Sequence, residues 1–239
     1  MHFHSVLSYA LGAAITVSAS LGNRDTAGNP SATVYECPKQ TTIRYNNSVP
    51  PGWEFPETEV VLCYTADPSR PSPMLNLTFK AYDEEYYYVD PEQGTNDDIW
   101  LYTVMEVFMQ RGIEAPQTYL EFDISPSNVT YQAFIYNPSR ERAYNAPFDH
   151  AFLSDPLGDG MLAETILDRA NKTWVSTVQI PLALFNVPEA GLVGTQWRMN
   201  FFRTITSPTT FPQQRLGAWS PPNRPNFHIT SYFGYVQFQ

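Results

Sequence analysis

Alternation of apolar and polar residues, interrupted at short intervals by proline, most limits the folds open to this chain. The run Tyr119-Leu-Glu-Phe-Asp-Ile124 alternates with a period of two and ends on the turn signal Ser125-Pro126-Ser127-Asn128. A period of two is the geometry of a strand with one face turned to a core. Strands are expected at 60–65, 75–82, 86–89, 100–109, 119–124, 129–136, 174–180, 197–204 and 235–238, separated by turn residues. The 21 prolines, with few helix-capping patterns, favour stiff loops between strands over helices. Short strands at this spacing predict an all-β chain, an antiparallel β-sandwich, with one domain over 33–239 and no internal repeat. One long irregular stretch, 137–160, breaks the rhythm; loops of that length in a compact domain tend to carry function.

The two ends of the chain and its cysteines point to a compartment. An apolar run from Val6 to Val17, followed by Val17-Ser18-Ala19, reads as a secretory signal peptide over 1–19. The run is too short for a stable membrane span, although an anchor is the alternative reading. The polar segment 20–32 is expected to be flexible. Four sequons, at Asn46, Asn76, Asn128 and Asn171, suit a secreted glycoprotein. Only Cys37 and Cys63 are present, so an oxidising lumen permits one disulfide. No zinc, P-loop, Rossmann or serine-hydrolase signature occurs, and neither a metal nor a cofactor is called for. A formal net charge of −10 argues against nucleic acid and against anionic membrane surfaces.

The strand Trp197-Arg-Met-Asn-Phe-Phe-Arg203 does not sort its residues by polarity. One face holds Trp197, Met199, Phe201 and Arg203, the other Arg198, Asn200 and Phe202. Rings beside fixed donors are what a binding face needs. The bland reading makes Trp174 and Trp197 core rings and Arg203 a cross-strand ion-pair partner of Glu106. His228, between Phe227 and Ile229, reads as a structural histidine or a ligand contact. Asp149 and His150 share the long loop. The acidic residues Asp83, Glu84, Glu85, Asp90, Glu92, Asp97 and Asp98 read as a solvated rim, with Ca²⁺ as the alternative.

An ordered set of segments resembles family 9 carbohydrate-binding-module-like domains. The set starts with Asp97-Asp98 and the strand from Trp100 through Glu106 to Phe108, then Tyr119-x-Glu121-Phe122-x-Ile124-x-Pro126. It continues with Trp174 to Ile180-Pro181-Leu182, then Trp197-Arg198-x-Asn200-Phe201-x-Arg203, then Ala218-Trp219-Ser220-Pro221, Phe227-His228 and Phe233-Gly234. The resemblance covers about 97–238. It implies a jelly-roll-like sandwich with a concave, sugar-sized site in which Trp100, Glu106, Asn200, Arg203 and Trp219 could grip a ligand. In overall type the chain also resembles secreted fungal hetero-Diels–Alderases of tropolone sesquiterpenoid biosynthesis. That resemblance implies cofactor-free cycloaddition between a tropolone quinone methide and a humulene-type terpene.

The expected site is therefore a concave face with catalytic Arg198, Asn200, Arg203 and Glu106. Trp100, Phe108, Tyr144, Phe152, Trp219 and His228 would contact the substrate, with 144–152 as a lid. The expected partner is an apolar small molecule held in reacting geometry, or else a glycan. The alternatives are a non-catalytic carbohydrate-binding protein and a glycan-active enzyme using Glu106 and Glu121 as paired carboxylates.

Overall fold

Strands dominate because the alternating runs find two sheets to pack between. The computed structural model describes residues 28–67, 69, 72–142, 146, 148–187 and 191–239. Its strands are β1 (Ser31–Val34), β2 (Thr41–Asn47), β3 (Glu54–Thr65), β4 (Met74–Ala81), β5 (Val104–Arg111), β6 (Thr118–Ile124) and β7 (Thr130–Tyr136). They continue with β8 (Asp149–Phe152), β9 (Leu162–Asp168), β10 (Thr173–Pro181), β11 (Gln196–Thr206), β12 (Gln214–Ala218) and β13 (Gly234–Phe238). One sheet runs β1-β13-β11-β5-β6-β7-β8, with β12 also paired to β11; the other runs β2-β3-β4-β10-β9. All pairings are antiparallel except β1 with β13, so the sandwich expected from the alternation is the observed architecture.

The main core lies between the sheets. Leu75, Leu77 and Phe79 of β4, and Trp174, Val178 and Ile180 of β10, meet Met105, Val107 and Met109 of β5 and Trp197, Met199 and Phe201 of β11. The bland reading of Trp174 and Trp197 holds: both are fully buried core rings. The disulfide joins Cys37, in the loop after β1, to Cys63 of β3. Closing that loop should contribute about 2–4 kcal/mol, mainly by restricting the unfolded chain.

The second buried cluster explains the mixed faces of β11. On the other side of the larger sheet, Phe108, Tyr119, Tyr131, Ile135 and Phe202 are covered by loops carrying Ile99, Phe227 and Phe233. The central strands β5 and β11 are thus buried on both faces. A strand covered on both sides loses clean alternation, and polar groups on it must find partners.

Several expectations are corrected. Residues 86–89 form no strand: the Glu84 carboxylate accepts the N–H groups of Tyr86 and Tyr87, and Tyr87 has φ 45°, which folds the chain around Glu84. The start of the strand read at 100–109 is a 3₁₀ turn, Ile99–Leu101. Ser31 and Ala32, read as flexible, pair with Tyr235 and Val236. The signal-peptide reading over 1–19 lies outside the described residues. No helix among the described residues is long and apolar enough to cross a membrane. Asn46, Asn128 and Asn171 are exposed, and Asn76 is half-buried on β4.

Candidate functional site

Register alone places three carboxyl groups side by side on the face of the larger sheet that looks away from the smaller one. Glu106 of β5 is opposite Asp123 of β6, and Asp123 is opposite Tyr131 of β7. One step along, Phe108 is opposite Glu121, and Glu121 opposite Ala133. Oxygen atoms of Glu106, Glu121 and Asp123 all lie within 4.8 Å of one another. All three residues are buried, Asp123 completely.

Each carboxyl resists ionisation. Burial raises Glu106 well above the usual carboxylate range, the charge of Glu121 raises it further, and a hydrogen bond from the Thr204 hydroxyl at 3.2 Å opposes both. Burial pushes Glu121 up to about 8, against the pull of Arg142. Asp123 is raised by burial and then by its two acidic neighbours, and neither of its oxygens has a hydrogen-bond partner among the described residues. Three like charges in a buried space are the arrangement that separates catalytic acids from ordinary carboxylates.

Aromatic residues wall the cleft above this floor. Its volume is about 500 Å³, and Glu106 and Glu121 line it with Trp100, Tyr131, Phe148, Phe227 and His228; Asp98, Arg142, His150, Gln214 and Asn226 also border it. The His228 ring stacks on Phe108 at 5.1 Å and lies 4.4 Å from Phe148. Its Nδ1 is 2.7 Å from the Tyr119 hydroxyl and 4.0 Å from a Glu121 oxygen. Burial and then Arg142 push His228 down to about 3, so the ring is neutral at ordinary pH. The Arg142 guanidinium lies over the Phe148 ring at 4.6 Å, a cation–π contact. Trp100 stands partly exposed at the rim, its indole N–H donating to Asp98.

The structure brings together part of the expected set and separates the rest. Glu106, Trp100 and His228 line the cleft, and Phe108 lies beneath it against His228. Arg203 does not reach it. Phe202, not Arg203, is opposite Glu106, so parity sends Arg203 between the sheets, where it pairs with Glu84 at 3.0 Å. The expected Arg203–Glu106 pair is replaced by that one, and Glu84 is a buried partner rather than part of a solvated rim.

Arg198 and Asn200 do share the outer face, but backbone carbonyls take up their donors. Arg198 donates to the carbonyls of Phe233, Ser231 and Ile113 and covers the Tyr235 ring. The Asn200 side chain bonds the N–H and carbonyl of Ser220. Both residues hold the C-terminal loop that carries Phe227 and His228. Trp219 packs on Phe201 and over Gly234, where an added Cβ would lie 2.4 Å from the indole. Phe152 sits at the end of the row Phe108–Glu121–Ala133, its ring on Tyr131 and His150 and outside the cleft. Tyr144 lies outside the described residues. Asp123 and Thr204 were missed; the Glu-x-Asp alternation in β6 was the available signal for Asp123.

No family model matches the chain. An extracellular protein of Arthroderma benhamiae is 48% identical over 238 residues, spanning 100% of both chains. A candidate carbohydrate-binding protein from Bacteroides uniformis matches in structure with a TM-score of 0.57 at 17% identity, over 89% of this chain and 100% of that one. A family 9 carbohydrate-binding module from Caldicellulosiruptor kristjanssonii, solved with cellotriose, matches with a TM-score of 0.52 at 11% identity, over 87% and 93%. At these identities the structural likeness is one of fold, and it agrees with the sandwich expected from the sequence.

Proposed function

The chain belongs to the family of the Arthroderma benhamiae extracellular protein, and from that premise we propose that it is a secreted protein whose cleft binds a small, largely apolar, oxygen-bearing ligand and templates a hetero-Diels–Alder cycloaddition. The partners would be a tropolone quinone methide and a humulene-type terpene. One observation carries this reading: a floor of buried carboxyl groups, Glu106 and Glu121, lies under walls of Trp100, Tyr131, Phe148 and Phe227. Such a reaction needs no nucleophile. It needs two apolar partners held in reacting geometry and a donor on the carbonyl that draws electrons. Carboxyl groups that hold their protons near neutrality are such donors. The catalytic donors are then Glu106 and Glu121, and the expected roles of Arg198 and Asn200 become positioning of the loop that bears Phe227 and His228.

Secretion is supported by the extracellular relative and by the leader and sequons in the sequence. Glycans would sit at Asn46, Asn76, Asn128 and Asn171. Asn46 and Asn76 lie on strands of the smaller sheet, and Asn171 lies in the turn between two more of its strands, away from the cleft.

A second reading has its own support. The cleft lies on a sandwich like that of a module solved with cellotriose, and its rim carries Trp100, Asp98, Gln214 and Asn226. A rim ring with polar neighbours suits a sugar. The test incubates purified protein with a quinone-methide precursor and a humulene-type alkene. Faster, stereoselective product formation is expected, lost on changing Glu106→Leu, which removes the donor. Product yield and stereochemistry equal to the protein-free control, with cellotriose binding in parallel, would replace the cycloaddition reading with the carbohydrate one.

A further inference from the structure

The carboxyl cluster on the cleft floor raises a question that ligand templating leaves open: what compensates Asp123. Its side chain is completely buried, and both oxygens are without a hydrogen-bond partner among the described residues. It does not line the cleft, so it cannot serve a ligand directly. An ionised carboxylate buried in this way is costly unless something positive or donating meets it. Arg142 acts on Glu121. Among the described residues, the only hydrogen bond into the trio from another side chain is the one from Thr204 to Glu106.

We propose that Glu106, Glu121 and Asp123 form a binding site for one hard divalent cation of the Mg²⁺, Ca²⁺ or Mn²⁺ class. The spacing suits a shared ion. Two oxygens bound to one Ca²⁺ at about 2.3–2.6 Å lie at most about 5 Å apart, and the ligand atoms here are all within 4.8 Å. The donor set is oxygen only, which selects hard cations over zinc or copper. Three carboxylates provide more charge than a divalent ion needs, and Arg142 beside Glu121 offsets part of the excess. Asp123 would be the buried anchor, bound on the side away from the cleft. Glu106 and Glu121 would hold the ion from the cleft side, leaving coordination positions open to water or to a ligand oxygen. Binding would release the protons held on these carboxyls to solvent. The ion would then replace those protons as the electrophile that a bound carbonyl meets.

The sequence called for no metal, because the three ligands are not spaced as a motif. They come together only through the β5–β6 register. The site stands apart from the identity of the organic ligand, which is tested separately by product stereochemistry.

The experiment uses the full secreted protein, stripped with EDTA and titrated separately with MgCl₂, CaCl₂ and MnCl₂ by calorimetry at pH 7.5. One of the three is expected to bind with a stoichiometry of one and to raise the unfolding temperature. Glu121→Gln and Asp123→Asn should each weaken that binding by more than about tenfold, the scale on which metal sites respond to altered ligation. Asp97→Asn, on the acidic rim outside the cluster, should leave it unchanged. Circular dichroism checks that the variants fold; if Asp123→Asn does not, Glu121→Gln decides. No stoichiometric binding of any of the three ions to the wild type overturns the site. So does binding that persists undiminished in a folded Glu121→Gln protein.

Discussion

Two clusters of buried charge lie on opposite faces of the same sheet, and they differ in whether the charge is answered. Between the sheets, Arg203 meets Glu84 at 3.0 Å with both side chains fully buried. Arg203 also donates to the carbonyls of Glu57 and Tyr82 and to the Thr58 hydroxyl, while Glu84 accepts two backbone N–H groups. On the far face, Glu106, Glu121 and Asp123 are buried too, with Glu106 and Glu121 reaching the cleft floor, but three like groups face one another. The first cluster pairs its opposite charges and fastens the 82–87 loop to β11, though the Arg203 Nε has no partner among the described residues. The second needs protons, an ion or a ligand to complete it. Burial of charge alone therefore does not mark a functional site; burial without a partner does.

The largest effect should come from breaking the answered cluster. Arg203→Met leaves Glu84 buried without its cation, which is expected to cost about 3–5 kcal/mol. Adding Glu84→Gln should recover part of that loss, because the stranded charge goes with it. Urea denaturation of the single and double variants gives the comparison. A single-variant cost below about 1 kcal/mol would mean that the pair contributes little, and that the contrast between the two clusters is false.

The unanswered cluster should instead make stability depend on pH. Glu121 in the folded protein titrates near 8, above its unfolded value. The native state therefore holds an extra proton in that interval, and raising the pH through it removes stability. His228 works the other way: its folded value of about 3 lies below the unfolded one, so its contribution is lost as the pH falls below about 6.5. Between about pH 6.5 and 8.5 only the carboxyls contribute to this contrast. In EDTA the wild type should lose stability across that window, about 2 kcal/mol of it from Glu121, and Glu121→Gln should make the profile less steep. A wild-type profile that is flat, or that rises with pH, would show the cluster to be answered after all.

The sandwich could be read from the sequence because β3, β4, β6, β7 and β10 have one apolar and one less apolar face, the pattern that a two-sheet core imposes. β8 and β9 escaped notice for a physical reason. They close the two sheets at their edges, and exposed residues such as Leu162 and Ile166 blur their alternation. The site was half legible. Trp100 and Glu106 could be singled out through the resemblance to family 9 carbohydrate-binding modules and His228 by its place between Phe227 and Ile229, and parity already separated Arg203 from Arg198. That Arg198 and Asn200 would bond to backbone carbonyls could not be seen, because their partners Ile113, Ser220, Ser231 and Phe233 lie in loops whose paths have no periodicity. Asp123 looked like any solvent-facing residue of a strand. Only the covering loops that carry Phe227 and Phe233 make its face an interior one.

The smallest effect tests the contrast with one hydroxyl on each side. Thr58 accepts a long hydrogen bond from Arg203, and Thr204 donates to Glu106; both threonines are buried. Replacing either by valine keeps the shape and should cost about 1 kcal/mol. The two losses should respond differently to pH. Arg203 keeps its charge throughout the ordinary range, so the cost of Thr58→Val should be the same at pH 6 and at pH 8.5. Burial and the charge of Glu121 hold Glu106 above the usual carboxylate range, and a hydroxyl that donates to it is worth more once the carboxyl ionises. The cost of Thr204→Val should therefore grow as the pH rises. Denaturant midpoints at the two pH values decide it: equal pH dependence in both variants would mean that the carboxyl cluster does not titrate, and that its charge is balanced as firmly as that of Arg203.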